Sequence, residues 1–125
     1  MNKASKRVSS KLNLKTFLNL LKNRANQKII LRTLGRKKQV IFYRETRPRV
    51  ICENSKGNRC DISRLFRKVL AQYKGLKRKG EYTSKGHPKY LAASNYVPMQ
   101  WRKSPDRNFA PYIAAAISYL DKKLS

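Results

Sequence analysis

Acidic residues are nearly missing from this sequence. Its 125 residues hold 6 Asp plus Glu against 31 Lys plus Arg, a formal net charge of +25, and no acid precedes Glu45. Chemistry that needs two or three converging carboxylates therefore has little to draw on. Histidine is scarcer still. His87 is the only one, it lies in a Gly-rich stretch, and nothing beside it in sequence would orient its ring as a general base. The two cysteines, Cys52 and Cys60, lack the short CxxC spacing of a zinc site and are too few for a disulfide scaffold. They read as ordinary buried thiols in a reducing compartment; the other arrangement open to them is a facing pair across the turn Asn54–Asn58.

Long apolar runs are absent too. No stretch of about 18 apolar residues occurs, so no segment is expected to span a bilayer. The segment Leu12–Leu21 is interrupted by Asn13, Lys15, Thr16 and Asn19 and is too polar for a secretory signal. An acid-free start rich in Lys and Ser also fits an organelle presequence, but the same pattern reads equally well as a helix docked on the domain. No phosphate-cradling Gly-rich loop, Ser-His-Asp arrangement or nucleotide fingerprint is present, so neither a cofactor nor a metal is expected.

What the chain has in excess is positive charge. A surface of one sign repels itself and destabilises the compact state, so an imbalance of this size implies a polyanion partner. Nucleic acid is the commonest, because Lys and Arg neutralise phosphates and release condensed counterions. Anionic lipid, polysaccharide or an acidic protein are the other polyanions that would serve. With hydrophobic residues at 40%, the chain carries enough apolar surface to fold around a modest core.

Residues 1–12 hold little to bury and read as a flexible basic arm. Leu14, Phe17, Leu18, Leu21 and Ala25 recur at helical spacing and predict a helix over about 13–25. Lys28–Leu34 and Gln39–Glu45, rich in Ile, Val, Phe and Tyr around Gly35-Arg36-Lys37-Lys38, predict a β-hairpin with a cationic turn. Arg49–Glu53 is a third strand. Ile62, Leu65, Phe66, Val69, Leu70 and Tyr73 predict a second helix, capped by Asp61 or Ser63 and ended by Gly75. Residues 76–89 then read as a basic linker or loop. Residues 90–125 are expected to be a helical part packed on the same core as residues 13–75. Pro88, at the end of the linker, starts a short helix through Tyr90, Leu91 and Ala93, and a final helix carries Phe109, Tyr112, Ile113, Ala116, Ile117, Leu120 and Leu124 on one face, with Pro111 in its first turn. The fold class expected is α+β: a small three-stranded antiparallel sheet packed by helices, with a helical C-terminal part.

Three basic constellations stand out. Arg36, Lys37 and Lys38 at the hairpin tip, flanked by Arg32 and Arg44, suit a ribbon entering the major groove of duplex DNA. Arg64, Arg67 and Lys68 lie opposite the apolar stripe of the second helix and face outward. Lys74, Lys77, Arg78, Lys79, Lys85 and Lys89, interleaved with Tyr82 and Tyr90, could track a phosphate backbone; Tyr90 reads better as a core anchor, and so does Trp101.

The leading expectation is a non-catalytic protein binding duplex DNA in a regulatory or architectural role, cytoplasmic and nucleoid- or nucleic-acid-associated, with a homodimer through the last helix as one arrangement. Structured RNA is the alternative ligand. A small metal-dependent nuclease using Glu45, Glu53 and Asp61 is the enzymatic alternative, set against the simpler reading that these carboxylates pair with nearby Arg and Lys.

Overall fold

In a computed structural model, residues 8–22, 28–34, 37–45, 49–96 and 110–124 are described. The fold is α+β, one antiparallel sheet with helices packed on it. Its elements are α1 (Leu14–Lys22), β1 (Lys28–Arg32), β2 (Gln39–Arg44), β3 (Val50–Asn54), β4 (Arg59–Asp61), α2 (Ser63–Lys79), two short 3-10 turns at Lys89–Leu91 and Ala93–Asn95, and α3 (Ala110–Leu124). The strands lie in the order β1-β2-β3-β4, each antiparallel to its neighbour.

Register decides which side chains meet the helices. Ile29 pairs with Phe42, Phe42 with Cys52 and Cys52 with Cys60, while Leu31 pairs with Val40. Directly opposed residues share a face, and these form the inner one. Ile30, Ile41, Glu53 and Arg59 make a row on the outer face, where Ile30 is 55% exposed. Phe17 of α1 ties three elements together. Its ring stacks on Phe66 of α2 at 5.6 Å and meets the edge of Phe42 of β2 at 5.7 Å. All three rings are fully buried.

A fourth strand extends the three expected. The turn after β3 was legible, and Asn54 holds it closed by accepting the amides of Lys56 and Asn58, both at 3.0 Å, with Gly57 at φ 82°. The chain then returns as β4, three residues alternating exposed, half-buried and exposed, too short for its periodicity to register. Asn13 caps α1, its Oδ1 accepting from the Thr16 amide at 2.9 Å, in the manner of a short polar N-cap. The packed region begins before α1, against the expectation of a free arm through residue 12. Leu12 is fully buried in the core and Val8 packs against it. Residues 1–7 lie outside the described residues.

Helix α2 does not stop at Gly75. It continues to Lys79 and ends at Gly80, whose φ of 65° is left-handed and whose amide reaches the carbonyls of Leu76 and Lys77. A helical Gly costs about 1 kcal/mol against Ala, which the packing of Leu76 and Lys77 beyond it outweighs. The expected linker is thus helical over 76–79, and its remainder is closed by a Tyr82–Pro88 bridge, a Thr83 amide bond to His87 at 2.8 Å and a Lys89–Glu81 ion pair at 3.1 Å. In place of a short α-helix after Pro88 there are the two 3-10 turns. The N-cap residue Ile62 offers no capping side chain, but Asp61 accepts from the amide of Ser63, the first residue of α2, as expected, and the Ser63 hydroxyl accepts from the Val50 amide, binding the helix start to β3.

Pro111 sits in the first turn of α3, and Ile113, Ala114, Ala116, Ile117 and Leu120 close the core. Phe109 and Trp101 lie outside the described residues. Against α2, Asp121 accepts from Lys77 Nζ at 2.9 and 2.7 Å and from the Tyr73 hydroxyl. No helix among the described residues is long and apolar enough to cross a membrane.

Candidate nucleic-acid interface

At the β1–β2 turn, Arg32, Lys37 and Lys38 are exposed. Lys37 holds a left-handed φ of 57°, unusual for a side chain with a Cβ. The turn is clamped around it: the Thr33 amide donates to the Lys38 carbonyl at 2.9 Å, the Lys38 amide returns to Thr33 Oγ1 at 2.9 Å, and the Arg32 guanidinium donates to the Lys37 carbonyl at 3.1 Å. Two ammonium groups are therefore presented on a braced backbone. Arg36 lies outside the described residues. Arg44 does not join them. It is half-buried and pairs with Val50 at the far end of β2, roughly 17 Å of strand from Gln39.

Helix α2 presents Arg64, Arg67, Lys68, Arg78 and Lys79 to solvent. Lys77 is different. It falls on the core stripe with Phe66, Leu70 and Tyr73, is only 7% exposed, bonds both oxygens of Asp121 and lies 5.6 Å over the Tyr90 ring. Its ammonium is spent inside the protein and has no surface to offer a phosphate, which corrects its place among the expected contacts. Tyr90 is a core anchor as expected, half-buried with its ring edge-on to Tyr73 at 5.2 Å. Burial first, then the Asp121 charge, raises its hydroxyl above the usual tyrosine value.

One cation at the site was not singled out as a contact from the sequence. Arg67, Lys74 and Arg78 follow at i, i+7 and i+11 along one edge of α2, and Lys15 of α1 faces them across an open groove of about 480 Å³. Partial burial, then repulsion from Arg78, lowers the Lys74 ammonium from its ordinary value. Lys15 belonged to a helix read for its apolar face alone, whereas Lys74 was already named with Arg78 in the basic run.

The acids lie elsewhere. Glu45 and Asp61 both engage Arg49, Glu53 engages Arg59 at 3.5 Å, Glu81 engages Lys89, and Asp121 engages Lys77. Each carboxylate of the alternative nuclease set thus holds an arginine. No cluster of three or more His, Cys, Asp or Glu placed to hold a metal occurs among the described residues. Cys52 and Cys60 are direct partners across β3 and β4 and are not joined by a disulfide. Burial first, then Cys60, pushes the Cys52 thiol far above its usual value, so it stays protonated at neutral pH. His87 is exposed in its loop.

What the arrangement offers chemically is a set of fixed, exposed cations without acidic partners among the described residues, on α2 and at a braced turn. Compared with known proteins, the chain matches no family model, no curated protein sequence and no solved structure.

Proposed function

We propose that this chain is a non-catalytic nucleic-acid-binding protein that takes duplex DNA on the exposed face of α2 and at the β1–β2 turn. One observation carries the reading: every carboxylate among the described residues is taken up in an ion pair, while Arg64, Arg67, Lys68, Arg78 and Lys79 stand exposed with none. Cations left unpaired on a chain of net charge +25 need an external counter-charge, and phosphates provide it at close spacing.

Duplex is favoured over single strands because no aromatic side chain among the described residues is more than half-exposed. Phe17, Phe42, Phe66, Tyr73 and Tyr96 are all buried, whereas single-strand binders put such rings on the surface. B-form DNA is favoured over A-form RNA because the cations sit on a regular helix and a hairpin turn. The wide major groove of B-DNA admits such elements, and the narrow major groove of RNA does not.

The test is affinity measured by fluorescence anisotropy across a salt series. If the five exposed α2 cations each meet a phosphate, log K falls against log salt with a slope of about −4.5. A flat response removes the proposal. Competition with structured RNA of equal length reports the ligand, and RNA displacing DNA at equal concentration would move the assignment to RNA.

A further inference from the structure

The groove edged by Lys15, Arg67, Lys74 and Arg78 is more than a part of the basic surface. Its walls are cationic but its floor is apolar, made by Leu14, Leu70 and Ala71. Leu14 and Leu70 are 6% exposed and belong to the core cluster, so the floor is rigid. Ala71 stands between Arg67 and Lys74 on the same edge of α2, and its small side chain keeps the space between the cations open. A volume of about 480 Å³ is in the range of small-ligand pockets. It is many times the roughly 30 Å³ share of one water, so a bare inorganic anion would leave most of it unfilled.

We infer that this groove seats one nucleotide of a bound duplex strand, its phosphate held between Lys74 and Arg78 with Lys15 and Arg67 at the rim, and its sugar laid on Leu14, Leu70 and Ala71. The inference rests on the nucleic-acid reading for the source of that nucleotide, a bound strand, and adds that one position of the strand is gripped through more than its charge. The closeness of Lys74 to Arg78 on one edge of α2 supports it: Lys74 is destabilised as an ammonium by burial and by Arg78, and no carboxylate among the described residues relieves it. An arriving phosphate would.

The test uses adenosine 5′-monophosphate, adenosine and inorganic phosphate titrated into the full chain, followed by the guanidinium NMR signals of Arg67 and Arg78. The nucleotide is expected to shift both signals and to bind about tenfold more tightly than inorganic phosphate, because only it covers the floor. Ala71→Leu fills the groove without changing charge and is expected to weaken nucleotide binding about tenfold, while Gln72→Leu, on the neighbouring exposed position, leaves it unchanged. Inorganic phosphate binding as well as the nucleotide, or Ala71→Leu binding like the wild type, overturns the inference. Duplex binding is measured on the same variants. DNA bound with no nucleotide response in the groove leaves the proposed function standing and sinks the seat. Nucleotide bound in the groove with no DNA binding sinks the proposed function and leaves a seat for free nucleotides.

Discussion

Lys77 is the residue on which the structure makes its sharpest demand. Its ammonium bonds both oxygens of Asp121, at 2.9 and 2.7 Å, across the α2–α3 packing, with the Tyr73 hydroxyl completing the carboxylate's partners. Lys77→Met keeps the volume of the side chain but strands Asp121 as a buried anion with a single remaining donor. Removing one member of such a pair costs about 3–5 kcal/mol, because the surviving charge stays desolvated. Against a typical total of about 5–15 kcal/mol, that is a large share, and at this chain length it corresponds to a fall in Tm of roughly 10–20 °C. Replacing the whole cluster, Lys77→Met with Asp121→Leu and Tyr73→Phe, leaves no orphan and is expected to recover to within about 2 kcal/mol of the wild type. Lys79→Met, two residues on and exposed, is expected to stay within about 0.5 kcal/mol. Urea unfolding followed by circular dichroism measures all three. DNA titrations on the folded proteins complete the contrast: Lys79→Met lowers the salt slope by about 0.9 and Lys77→Met leaves it unchanged. A stable Lys77→Met protein with a reduced slope would show that Lys77 is a surface cation and refute the reasoning.

Other expectations follow from the same geometry. Phe17→Ala removes the ring that joins α1 to Phe42 and Phe66 and is expected to cost about 3–5 kcal/mol in urea unfolding. Burial raises Tyr73, Tyr96 and Cys52 above their ordinary values of 10.0, 10.0 and 9.0. The folded chain therefore keeps protons that the unfolded chain releases. Their contribution is whole below about pH 9 and is lost as pH rises beyond 9–10, at up to about 1.4 kcal/mol per pH unit per group; Tm measured from pH 8 to 11 should fall, and a flat profile would contradict the burial. Plasmid DNA and RNA incubated with purified protein and Mg²⁺ or Mn²⁺ are expected to remain intact, and cleavage abolished by Glu53→Gln would replace the binding role with a nuclease. Paired losses on α2 should differ by position: Arg67→Gln with Arg78→Gln lowers DNA affinity more than Lys68→Gln with Lys79→Gln, since only the first pair edges the groove; equal losses would mean that charge alone is felt.

Elements with long, unbroken periodicity were legible from the residues alone. The stripe Ile62, Leu65, Phe66, Val69, Leu70 and Tyr73 could only be one face of a helix, and the clusters of Ile, Val, Phe and Tyr on either side of a cationic turn could only be strands. The errors fell where the signal was local and the outcome was not. Gly75 carries a helix-ending preference worth about 1 kcal/mol, smaller than the packing of Leu76 and Lys77 beyond it. β4 has three residues, and its existence depends on pairing with β3 rather than on its own pattern. Leu12, read with the arm, is fully buried because a surface for it exists only once α1 and the core have assembled.

The same division holds for the candidate interface. That the surface is strongly cationic follows from counting side chains, since net charge does not depend on how the chain folds. Which cations remain unpaired on it does. Coulomb attraction and desolvation act over a few ångströms, so Lys77 is spent on Asp121 and Arg44 is carried away from the turn, while Lys15 and Arg67, distant in sequence, are brought to edge one groove. Composition alone determined the sign of the surface; only tertiary packing, by deciding which opposite charges are within reach of each other, decided where that charge is left over.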